Sequence, residues 1–144
     1  MSDLVVPQTV TLPLSNGRTV TVWAELNHRQ HKAMYQRMFR EIDGGGLRRD
    51  MDRFVDAKIV AYVEDWTLTD PQEQPLEIRR KGERIPADEL QDVLDNLRQP
   101  VLMEIKAVVD AHHERIETAG EAQKKTDSFA SASSTMLPSV AVPA

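Results

Sequence analysis

The segment Phe54 to Asp70, FVDAKIVAYVEDWTLTD, constrains the fold of this chain more than any other. Apolar residues at Met51, Val55, Ile59, Tyr62 and Trp66 are spaced by three or four, and Phe54, Ala57 and Ala61 widen the same stripe. A period near 3.6 places one helix face in a core, so a helix is expected from about Leu47 to Trp66. Trp66 at its end buries a large ring beside a chain exit, where the indole N–H can find an acceptor. Phe54, Ile59, Tyr62, Trp66 and Leu68 are expected core markers, joined by Ile105 and Val109 from a later helix.

Length and charge narrow the class. A chain of 144 residues with 40% hydrophobic content suffices for one modest core. Eighteen basic against 23 acidic residues give a net charge of −5, which argues against a general affinity for nucleic acid or anionic membranes. The acidic balance and the lack of a clear helix-turn-helix also weigh against a small DNA-binding regulator. There is no cysteine, so disulfides, thiolate chemistry and cysteine zinc sites are excluded. The N-terminus shows no basic region followed by an apolar run, and no segment reaches the roughly 18 apolar residues of a membrane span. A soluble, unsecreted protein is expected.

The remaining elements read in order. Val10, Leu12 and Leu14 alternate with polar or proline positions, Asn16-Gly17 tolerates positive φ, and Val20 and Val22 alternate with threonines. This predicts a hairpin over residues 9–23, with a first strand that lies at an edge or ends at Pro13, which cannot donate a ladder hydrogen bond. Ala33, Met34, Met38, Phe39 and Ile42 predict a helix from about Leu26 to Ile42, and Gly44-Gly45-Gly46 a flexible joint to the tryptophan helix. The alternation in LEIRRKGERIP predicts a small second hairpin turning at Lys81-Gly82. Its cluster of Arg79, Arg80, Lys81 and Arg84 suits either contact with a phosphate or acidic partner, or a solvated turn whose charges guard an edge strand. Pro86 followed by Asp88 and Glu89 starts a helix over about residues 87–97, and Pro100 another over about 100–117, ended by Gly120. The fold class expected is mainly α with a small β part, an N-terminal hairpin packed on about four helices. Residues 1–118 form the globular domain, and residues 119–144, rich in serine and alanine, a flexible low-complexity tail.

No reactive constellation emerges. DGGGLRRD lacks the lysine and hydroxyl of a phosphate-binding loop, and no GxSxG, HExxH or dinucleotide fingerprint is present. His28, His31, His112 and His113 lack the local spacing of zinc motifs. His112 falls on an apolar stripe and suits a hydrogen-bonded core histidine, while His113 is expected to face solvent, as are the carboxylate pairs Glu64/Asp65 and Asp92/Asp95. No catalytic residue, cofactor or metal is expected.

A hairpin, an amphipathic helix, a helix closing on IVAYVEDWTLTD, a proline-bearing loop, a short helix and then VLMEIKAVVDAHHERIE resemble, in this order, the tail assembly chaperones of long-tailed (siphovirus-like) bacteriophages. Trp66, Leu68 and Asp70 carry the "W-x-L-x-D" part of the likeness, which covers roughly residues 9–118; the basic hairpin from Leu76 to Ile85 looks like an insertion where many relatives have a turn.

The resemblance implies a non-catalytic protein. Such chaperones bind the long helical tape measure protein in the host cytoplasm, keep it soluble and promote polymerisation of major tail protein around it, and they are typically absent from the mature virion. It also implies a longer product of the same gene made by a programmed frameshift, for which Gln123-Lys124-Lys125 is a candidate site. Protein partners are therefore expected, with self-association open. Met34 and Met38, with the basic cluster Arg79, Arg80, Lys81 and Arg84, are candidate contacts, since methionine, here with Met51, suits adaptable surfaces, although core packing is the favoured reading of the methionines. The competing expectation is a structural virion protein of the head–tail connector or tail.

Overall fold

Four helices and small antiparallel sheets make up the computed structural model, which describes residues 2–140, with side chains to residue 120. The chain divides into two compact units, residues 1–111 and 112–144.

The N-terminal hairpin forms as its sequence predicts. Strand β1 (Thr9–Pro13) pairs antiparallel with β2 (Thr19–Trp23), with Pro13 opposite Thr19 and β1 at the sheet edge. Asn16 and Gly17 turn the chain at φ values of 58° and 73°, a region that asparagine and glycine enter at least cost. Val20 and Val22 are fully buried. The hairpin tip is tied to the last helix: the Ser15 N–H and hydroxyl donate to Glu104 at 2.7 and 2.5 Å.

Those two donors, with Arg18 nearby, hold the Glu104 carboxyl below its ordinary value of 4.5. A lowered folded-state pKa means that the charged form stabilises the fold above the unfolded pKa and that this contribution is lost as pH falls from 4.5 through the lowered value. The melting temperature of the wild-type chain is thus expected to exceed that of Glu104→Gln at neutral pH, with the gap closing on acidification across that window. A gap that does not change with pH would contradict this.

Helix α1 (His28–Met38) begins with a reciprocal cap: Asn27 Oδ1 accepts from Gln30 N and Gln30 Oε1 from Asn27 N, both at 2.9 Å. Helix α2 (Met51–Tyr62) packs against it, with Tyr35 and Phe54 stacked at 5.5 Å. Helix α3 is Ala87–Asp95, with Leu90 and Leu94 buried, and α4 is Gln99–Val140. The helix thus runs through Gly120, where an end was expected. The tail and frameshift expectations fall mainly on positions whose side chains lie outside the described residues.

Two helix expectations need correction. The first predicted helix stops at Met38, and Phe39–Glu41 forms strand β3, paired with β4 (Leu47–Arg49). Gly44, Gly45 and Gly46 sit at φ values of 92°, 80° and 115°, so they form the tip of a β-ribbon rather than a joint between helices. The tryptophan helix stops at Tyr62, and Val63–Trp66 becomes strand β5, which pairs with the free edge of β2 so that Trp66 lies opposite Val20. A free strand edge offers a row of unpaired backbone groups, and β5 satisfies them.

The markers Phe54, Ile59, Tyr62, Trp66, Leu68, Ile105 and Val109 are all buried. Met51 is 59% exposed, off the core face where its spacing put it. After β5, Trp66 Nε1 donates to the Leu76 carbonyl at 2.8 Å, and Leu76 N donates to the Leu68 carbonyl at 2.9 Å. Asp70 Oδ1 accepts from Gln72 N and Gln74 N, both at 2.9 Å, the local turn that aspartate makes well. Tryptophan, leucine and aspartate at alternate positions thus fix one loop: the first two from inside, the third from its rim.

Candidate partner-binding surface

The predicted basic cluster lies on strands β6 (Arg79–Arg80) and β7 (Glu83–Arg84), turned by Lys81 and Gly82 at φ values of 51° and 81°. Its arginines face their own chain. Arg79 forms an ion pair with Glu64, and Arg80 with Glu89, while Arg84 Nη2 donates to the Val60 carbonyl. Val60 lies in the last turn of α2, where carbonyls lack helical partners and the dipole favours a cation. Burial, with Arg79 and Arg37 nearby, lowers the Arg84 pKa from its ordinary value. Glu64, expected at the surface, is buried because β5 carries it into the sheet, and Arg79 supplies its counter-charge. Lys81 remains exposed at the turn.

Met34 and Met38 are 1% and 7% exposed. They are core residues of α1, not an adaptable outer face, because α2 covers that side of the helix. His113 is buried as well as His112, contrary to its expected solvent position; its Nε2 stands 3.4 Å from Glu117. His31 stacks on Tyr35 at 6.3 Å. Among the described residues no group of three or more His, Asp or Glu is placed to hold a metal ion, and no helix is long and apolar enough to cross a membrane.

The exposed features concentrate around the β3–β4 ribbon. Its six strand residues are all exposed. Tyr35, Phe39, Ile42, Leu47 and Met51 account for five of the nine exposed large apolar residues among those described, Leu47 at 67%. The ribbon is anchored at its base: Asp50 N donates to the Met38 carbonyl at 2.9 Å, and Arg53 Nη1 to the Phe39 carbonyl at 3.2 Å. Asp50 also caps α2 through Asp52 N and Arg53 N, and its second carboxylate oxygen lies 3.7 Å from Arg40.

Beside this base lies a cleft of about 390 Å³ lined by Arg37, Phe39, Arg53, Asp56, Asp88, Gln91 and Asp95. Its charges are largely matched within the chain. Arg37 stands 3.4 Å from Asp88, and Gln91 Nε2 bridges Asp56 and Asp95 at 3.2 and 3.1 Å. Lys106 lies 3.6 Å from Asp56 Oδ1, an ion-pair distance too long for a hydrogen bond, and that oxygen is buried without one. The cleft is a polar seam whose charges, Asp56 Oδ1 apart, are mostly paired within the chain, whereas Leu47, Arg48 and Arg49 on the ribbon are exposed. Neither the ribbon nor its apolar content was legible in the sequence, where Phe39 and Ile42 continue the helical spacing of α1. The available signal was the glycine triplet flanked by FREI and LRR, a hairpin pattern with a loose tip. Compared with known protein families, curated proteins and solved structures, the chain matches none.

Proposed function

We propose that this chain is a non-catalytic tail assembly chaperone of a long-tailed bacteriophage. In this role it holds the tape measure protein soluble in the host cytoplasm and promotes polymerisation of tail tube subunits around it. The observation that carries the reading is the segment from Ile59 to Asp70 and its place before the helix VLMEIKAVVDAHHERIE. Exposed apolar residues on and flanking the β3–β4 ribbon support it from a different side, because apolar side chains grouped on a surface mark contact with another macromolecule.

Co-expression with the tape measure protein of the same virus tests the proposal. The expected result is a tape measure protein that is insoluble alone, soluble with this chain, and co-purified with it. Absence of co-purification, with this chain present in stoichiometric amounts in purified particles, would overturn the chaperone role and favour a structural virion component.

A further inference from the structure

The ribbon has two outer edges of unequal availability. Ile42 N donates to the Gly46 carbonyl and Asp50 N to the Met38 carbonyl, so by the alternation of an antiparallel ladder Arg40 and Arg48 exchange bonds within the ribbon while Phe39, Glu41, Leu47 and Arg49 turn their backbone groups outward. On the β3 edge the Phe39 carbonyl is taken by Arg53 and its N–H by Gln36. On the β4 edge, no hydrogen bond among the described residues engages the outward groups of Leu47 and Arg49. Arg48 and Arg49 likewise form no ion pair among the described residues, whereas Arg40 has Asp50. Arg40 stands directly opposite Arg48, an arrangement that costs stability unless an anion intervenes.

We propose that the β4 edge, Leu47–Arg49, docks an extended acidic–apolar segment of a partner protein as a third antiparallel strand. Backbone groups of Leu47 and Arg49 supply the ladder bonds. Carboxylates opposite Arg48 and Arg49 supply charge complementarity on the two faces, and an apolar side chain packs on exposed Leu47. A second copy of this chain does not fit, because a symmetric pairing centred on Arg48 sets arginine against arginine. The proposal deepens the chaperone reading and rests on it only for the partner being a protein.

The test is titration of the ¹⁵N-labelled full chain with a synthetic strand-forming peptide bearing adjacent Glu and Asp beside Val, followed by NMR shift changes, with a lysine-substituted peptide as control. Shifts are expected at Leu47–Arg49 and the β3 residues paired with them, with binding weakened about tenfold in Arg48→Glu/Arg49→Glu and weakened again by high salt. Leu47→Pro, which removes an outward N–H without breaking a ladder bond, is expected to weaken binding while leaving the rest of the spectrum in place. No binding at millimolar peptide, equal binding of the lysine peptide, shifts elsewhere on the chain, or dimerisation through β4 would each overturn the proposal. Tape measure co-purification that survives Arg48→Glu/Arg49→Glu would overturn the docking edge and leave the chaperone reading standing.

Discussion

Trp66→Ala is expected to lower the free energy of unfolding by about 3–5 kcal/mol, a large share of the roughly 5–15 kcal/mol that holds a domain of this size folded. The ring is 7% exposed, and its Nε1 donates to Leu76 at 2.8 Å. Truncation therefore removes apolar burial, leaves a cavity between the sheet and the following loop, and leaves the Leu76 carbonyl without its donor. Trp66→Phe separates these effects. It keeps most of the packing and loses the hydrogen bond, for an expected cost of about 1–3 kcal/mol. Chemical denaturation reads both variants, with an unchanged denaturant slope showing that the folded state is otherwise retained. A loss below about 1 kcal/mol for the alanine variant would show that the loop does not depend on the ring.

Arg79→Met is expected to cost about 2 kcal/mol, and the added substitution Glu64→Leu to recover much of it. Breaking a fully buried ion pair by removing one partner costs about 3–5 kcal/mol, since the other charge is left without compensation. Here the carboxylate side is nearly enclosed, at 10% side-chain exposure, while Arg79 is 41% exposed. Solvent therefore screens part of the interaction and the expected cost is reduced. The informative result is the order of stabilities: the double variant above Arg79→Met, because two apolar groups remove the buried charge altogether. Additive losses from the two substitutions would show that Glu64 is hydrated despite its burial. The same cycle bears on the assignment of the second hairpin, because its arginines act inward if the coupling is large.

How much was legible can be judged residue by residue. The core markers were readable because the burial of Phe54, Ile59 and Tyr62 on α2, and of Ile105 and Val109 on α4, follows from a period that a helix imposes on its own face. Both short hairpins with Asn-Gly or Lys-Gly at the turn were readable for an equally local reason, the positive φ those positions need. The candidate site was not. Met34 and Met38 have the composition of an adaptable surface, and only the helix packed over them makes them core. Arg79, Arg80 and Arg84 form a charged cluster in sequence but point to Glu64, Glu89 and Val60, acceptors on other elements.

By itself the sequence determined where helical faces and tight turns fall, because hydrophobic period, capping side chains and backbone freedom are properties of a few neighbouring residues. It also determined the loop after Trp66, whose aspartate bonds the backbone two and four residues ahead. The tertiary structure decided where two helices stop. Trp66 keeps helical spacing from Tyr62, yet the unpaired edge of β2, more than forty residues earlier, draws Val63–Trp66 into the sheet. Phe39 keeps helical spacing from Tyr35 and Ile42 from Met38, yet three glycines with positive φ let Leu47–Arg49 fold back and pair with Phe39–Glu41. In both places local propensity was close to balanced, and hydrogen bonds to a second strand tipped it.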